Sequence, residues 1–196
     1  MPETDLNNWP PAEERIAAIL REHETQVLEF KRQWYAMDTK PSKGEFVRDI
    51  IALGNSADSR RAAYLVVGVE DKKQGGAIVG LDYPIDREQA MQVLTSYATP
   101  LPEIRFVEHT NNEGKLIAVV GVFATPHQPY YATRTIEGTL KANSFYVRRG
   151  SIVGETSAPE ILHMMSSRSR RISRSRQSDS PYRSASSKGR VDWPIR

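Results

Sequence analysis

The sequence contains no cysteine. That excludes disulfides, cysteine-ligated zinc and a thiol nucleophile, and it fits a reducing compartment. No stretch approaches the roughly eighteen consecutive apolar residues of a membrane helix, so no membrane partner is expected. The opening MPETDLNNWPPAEER is acidic and has no apolar segment of the secretory kind. The chain therefore reads as intracellular, in cytoplasm or nucleoid. No G-x-x-x-x-G-K-[ST] loop occurs; EGKL at 113–116 is too short a match, and ATP is not expected as a cofactor. The four histidines, His23, His109, His127 and His163, show no ligand spacing.

Charge of either sign is plentiful but unevenly placed. The formal net charge is +3 over 196 residues. Residues 166–196 carry nine of the basic side chains and two of the acidic ones, so this tail is +7 and the remainder −4. The same 31 residues include ten serines and almost nothing apolar. Such a segment cannot bury enough surface to offset the entropy of ordering, and it is expected to be disordered. Residues 1–11 read as a flexible leader. One folded domain is expected over 12–165.

Within that domain the pattern alternates between helix and strand. PAEERIAAILRE (11–22) spaces Ile16, Ile19 and Leu20 as one helical face. TQVLEFKRQW (25–34) is rich in β-formers and reads as a strand, and DTKPSKG as a loop. GEFVRDIIALGNS (44–56) is an amphipathic helix with Phe46, Val47, Ile50 and Ile51 on its stripe. AAYLVVGV (62–69) is almost wholly apolar, as a strand buried on both faces would be. AIVGL (77–81) would pair back on it as a hairpin. DREQAMQVLTSYA (86–98) is a helix. EIRFVEH and KLIAVVGVF flank the turn TNNEG and predict a second hairpin. A long loop, PHQPYYATRTIEGTLKAN, precedes a last strand, SFYVRRG, and a capped helix, TSAPEILHMM. These elements make one α+β domain: a mixed sheet of about five to six strands with helices packed on it.

The chemistry is sought first in ETQVLEFKRQW (24–34). On a strand, Val27, Glu29 and Lys31 share one face and Leu28 and Phe30 the other. A carboxylate beside a lysine suits phosphodiester cleavage: the acid holds a divalent cation, the ammonium orients water or offsets developing charge. From this stretch alone, an exposed ladder of no consequence is the favoured reading. Glu24 lies just upstream, and GVED sets Glu70 and Asp71 past the end of the buried strand. Three converging carboxylates would need a cation between them. Arg148 and Arg149, in YVRRGS, stand where a strand end could hold phosphates. Tyr130, in PHQPYYATR, could stack on a base, although packing beneath the long loop is the favoured reading. Arg168, Arg170, Arg171, Arg174 and Arg176 in the tail form an unspecific, salt-sensitive attractant for nucleic acid.

LEFKRQW, FVRDIIALGNS, YLVVGVED, IVGLD, PY and YVRRGS occur in the order and spacing of the Schlafen-type AlbA-like domain, also called the divergent AAA domain. The chain resembles that family over about residues 20–165. The resemblance implies an α+β fold that binds nucleic acid, DNA or RNA, and a place among transcriptional regulators. In the animal branch it implies a metal-dependent endoribonuclease. There Glu24, Glu29 and Asp71 would hold Mg²⁺ or Mn²⁺, with Lys31 assisting. Where the family pattern has a glycine pair ahead of the buried strand, this chain has DSRRAA, so Arg60 and Arg61 are expected to meet phosphate by side chain. A protein-interaction module with a recruiting tail is the third expectation. An exposed edge strand could also pair two copies as a homodimer.

Overall fold

The structure, a computed structural model, describes residues 9–58 and 61–166. A four-stranded mixed sheet lies at its centre. It is built from β1 (Leu28–Lys31), β2 (Ala63–Val67), β4 (Glu103–Thr110) and β5 (Leu116–Phe123), in the order β1-β2-β5-β4. β1 runs parallel to β2, with Glu29 opposite Leu65, and the other pairings are antiparallel. A parallel pair needs a crossover, and α2 (Lys40–Ser56) supplies it.

Both faces of the sheet are covered. Ala63, Leu65 and Val67 of β2 join Ala118, Val120 and Val122 of β5 against α2 and α3 (Arg87–Tyr97). Tyr64 and Val66 join Leu28, Phe30, Ile117 and Val119 against Ile16 and Ile19 of α1 (Glu13–Ile19). All five residues of β2 are buried, as its unbroken apolar run requires. Two small ribbons complete the chain: β3 (Ala98–Thr99) with β6 (Tyr131–Ala132), and β7 (Tyr146–Arg149) with β8 (Ile152–Glu155). A last helix, α4, covers residues 158–166. The eight strands and the helices make a single α+β domain.

Four local expectations change. The expected single sheet of five or six strands is a sheet of four plus two ribbons. AIVGL (77–81) forms no strand. Gly68 and Gly80 take φ of +91° and +83°, which turns the chain off a ladder, and only a Val69–Ile78 bridge survives. Five of the seven residues of DTKPSKG are helical, because Pro41 suits the first turn of α2. The leader joins the core at its end: the Trp9 ring meets Phe123 edge-on, 5.6 Å between centroids. The tail beyond residue 166 lies outside the described residues.

Candidate functional site

The alternation expected for β1 holds. Val27 packs in the cluster under α2, whereas Leu28 and Phe30 pack in the opposite one. Glu29 and Lys31 therefore point toward α2. Glu29 is buried there, 8% exposed, and a buried carboxylate needs a counter-charge. Arg148 provides it from β7. Its Nη1 pairs with Glu29 Oε2, its Nε donates to the Thr25 carbonyl at 3.1 Å, and its backbone N–H reaches Ser56 Oγ at 3.3 Å. The Arg148 side chain has no exposed surface.

Lys31 extends the network outward. Its Nζ lies 3.3 Å from Glu29 Oε1 and 3.1 Å from Asp49 Oδ2 on α2. Tyr35 donates its hydroxyl to the same Asp49 oxygen at 2.7 Å. Arg48 approaches from the other side, Nε to Asp49 Oδ1 at 3.8 Å. The electrostatics follow. Burial pushes the Glu29 carboxyl above its ordinary range, although Arg148 and Lys31 pull it down. Burial would lower Lys31, but Asp49 and Glu29 together raise it above an ordinary lysine, so it stays charged. Burial, then Asp49, drives the Tyr35 hydroxyl well up, so it remains a donor.

The other expected site residues fall elsewhere. Glu24 Oε1 accepts the Phe30 N–H at 3.1 Å, and its charge adds to the upward push on Glu29. Asp71 caps the short 3-10 turn Lys72–Gln74, accepting the Lys73 N–H at 3.3 Å. Among the described residues, no group of three or more histidine, aspartate or glutamate side chains is arranged to hold a metal ion. The donor set also fails a chemical test. Both oxygens of Glu29 already face cations of this chain, Arg148 and Lys31, and a divalent ion there would meet their positive charge. The three acids as arranged do not fit Mg²⁺ or Mn²⁺.

Arg148 is sealed and cannot reach a phosphate, which corrects its expected role; its partner Glu29 explains why it is buried. Arg149 is exposed and makes a two-oxygen pair with Glu160 of α4, at 2.7 and 2.8 Å. Tyr130 is fully buried, with its hydroxyl 2.8 Å from Thr125 Oγ1, so no base can stack on it. The loop around it is no polar surface, since Ala132, Ile136 and Leu140 are buried too. Arg61 is exposed, in a tight turn closed by Asp58. Arg60 and the five tail arginines, Arg168, Arg170, Arg171, Arg174 and Arg176, lie outside the described residues.

Cations collect where β1 and β2 end, Lys72 half-buried and the others exposed. Arg32 follows β1 and pairs with Glu70. Lys72 and Lys73 sit on the turn after β2, and Lys73 Nζ reaches Ser151 Oγ, on the β7–β8 turn, at 3.2 Å. Arg149 precedes that turn.

The sequence matches the profile of the Schlafen, AlbA_2 family over residues 24–156. The chain belongs to that family. The match runs from Glu24 to the residue after β8 and so takes in the whole Glu29–Arg148 network. A solved structure with a similar chain path is the N-terminal domain of a RecG-related protein from Nitrosomonas europaea. It is 21% identical, covering 69% of this chain and 92% of that one, with a TM-score of 0.41. No curated protein matches the chain. In this Schlafen, AlbA_2 member no helix among the described residues is long and apolar enough to cross a membrane.

Two residues of the network escape a reading by motif. Asp49 lies three positions after Phe46 and four before Leu53, on the apolar stripe of α2, and a lone acid there was the available signal. Tyr35 carries no such signal. Asn55 reads as a helix terminator, yet its Nδ2 donates to the carbonyls of Tyr130 and Tyr146, both at 2.9 Å. Its Oδ1 accepts the Tyr130 N–H at 2.8 Å.

Proposed function

We propose that this domain binds nucleic acid through the phosphate backbone, at the end of the sheet where β1 and β2 stop. Family membership carries the reading. The arrangement of cations supports it. Lys72 and Lys73 stand on the turn after β2, which reaches the β7–β8 turn through Ser151. Arg32 and Arg149, each in an exposed ion pair, stand at the ends of β1 and β7. In sequence, α4 leads directly into the arginines that begin at Arg168. Lysines and arginines placed in this way neutralise phosphates and release counterions, which gives affinity with little sequence preference. A regulatory role in transcription, implied by the family resemblance, follows if duplex DNA is the preferred target.

The endoribonuclease reading is not favoured, because Glu29 is committed to Arg148. The test is fluorescence anisotropy of labelled duplex DNA, single-stranded DNA and structured RNA across a KCl series, with a parallel cleavage assay in Mn²⁺. Binding that weakens linearly in log[salt], without cutting, is the expected result. No binding to any of the three would overturn the proposal. Metal-dependent cutting that a Glu29→Ala/Asp71→Ala variant loses would replace binding by catalysis.

A further inference from the structure

Three cations share two buried carboxylates in the network under α2. Arg148 and Lys31 flank Glu29, and Lys31 and Arg48 flank Asp49. Glu24 lies close enough to be felt by Glu29 but pairs with none of the three. The cations differ in access. Arg148 has no exposed side-chain surface, whereas Lys31 and Arg48 are 30% and 32% exposed and mark the mouth of the network.

Arg48 is the surplus member. Asp49 already takes the Tyr35 hydroxyl at 2.7 Å and the Lys31 ammonium at 3.1 Å. Arg48 stands off at 3.8 Å, and its buried Nε has no hydrogen-bond partner. That Nε is buried and faces Asp49, so a ligand would meet the outer end of the guanidinium, where the side chain reaches the surface. Lys31 and Arg48 stand at different oxygens of one carboxylate, and both side chains reach the surface. Asp49, 2% exposed, holds the Lys31 ammonium in place, so little of that side chain's entropy remains to be lost when an anion arrives.

We infer that Lys31 and Arg48 form an anion site that grips one phosphate of the nucleic-acid backbone, with Asp49 as the buried post that holds Lys31 and stands beside Arg48. This deepens the proposed function and rests on it for the identity of the ligand. A contact of this kind is independent of sequence and adds one phosphate to the footprint begun by Lys72, Lys73 and Arg149.

The experiment uses the full chain, with Arg48→Gln as the main variant, Arg48→Lys as a charge-preserving one, and Arg15→Gln, on α1 across the sheet from α2, as a control. Circular dichroism first checks that each variant is folded. Two readouts are taken: nucleic-acid affinity across a KCl series, and shifts of the Arg48 and Lys31 signals by NMR on adding inorganic phosphate at constant ionic strength. We expect Arg48→Gln to weaken binding about five- to tenfold and to flatten the salt slope by about 0.7–0.9, the loss of one phosphate contact. Arg48→Lys should keep most of the slope, and Arg15→Gln should match the wild type. Phosphate should shift the Arg48 and Lys31 signals in the wild type. If nucleic acid binds and Arg48→Gln leaves affinity and slope unchanged, the site is overturned and the function stands. If nucleic acid fails to bind but phosphate moves those signals, the site stands for another phosphorylated ligand and the function falls. If neither occurs, both are wrong.

Discussion

Arg148 of β7 is locked onto Glu29 of β1, and its own backbone N–H is bonded to Ser56 of α2, so one arginine joins three elements. Removing either charge leaves the other buried and unpaired, which costs about 3–5 kcal/mol. Arg148→Met and Glu29→Leu should each lower the urea midpoint strongly. The double variant should recover much of the loss, since an apolar pair of similar volume replaces the ions. Additive losses would show that the pair is not the source of the effect.

The same pairing predicts the response to metal. With both Glu29 oxygens engaged, millimolar Mn²⁺ should leave the melting temperature where EDTA leaves it, because a ligand stabilises only what it binds. A rise in the wild type that Glu29→Gln abolishes would restore the three-acid metal site.

Two pH windows should separate. Arg149 and Ser157 hold the Glu160 carboxyl down to about 2, below the ordinary 4.5. Its contribution is complete above 4.5 and is lost as pH falls toward 2, so acid should loosen α4 from the β7–β8 ribbon. Glu160→Gln should show that loosening at neutral pH, read from NMR signals of Leu162 and Ile152. Glu29 works in the opposite sense. Burial raises it, so above 4.5 the unfolded chain releases a proton that the folded chain retains, and stability falls as pH climbs to the raised value. In a urea titration that falling limb should disappear in Glu29→Gln.

Asn55 ties the end of α2 to the backbone at Tyr130 and Tyr146. Asn55→Ala strands those groups and should destabilise by about 1–3 kcal/mol. Gly54→Ala should act on the same junction by overpacking. A Cβ there would sit 2.9 Å from ring carbons of the buried Tyr130, at a loss of about 1–3 kcal/mol. Denaturant unfolding of the two single variants checks both. A neutral Gly54→Ala would mean that the Tyr130 ring can move.

The elements with strong local periodicity were legible before the fold was seen. The apolar run of β2, the β4–β5 hairpin, the stripe of α2 and the two-sided alternation of Glu29 and Phe30 follow from side-chain spacing alone. The membership of the site was not. Arg148 reads as an exposed strand end until β7 is seen packed beside α2, and no local pattern reports a partner so far along the chain. Tyr130 looks like a loop aromatic because the loop is polar on average, while its burial depends on Gly54 leaving room for the ring. The missing strand at 77–81 turned on Gly68 and Gly80, whose left-handed conformations no hydrophobic pattern encodes.

Helix α2 touches all three sheets: β2 and β5 of the central one, β6 of the second and both strands of the third. Its amides should consequently exchange with solvent only when the entire domain opens, and the two small ribbons, too short to persist alone, should share that same slow rate.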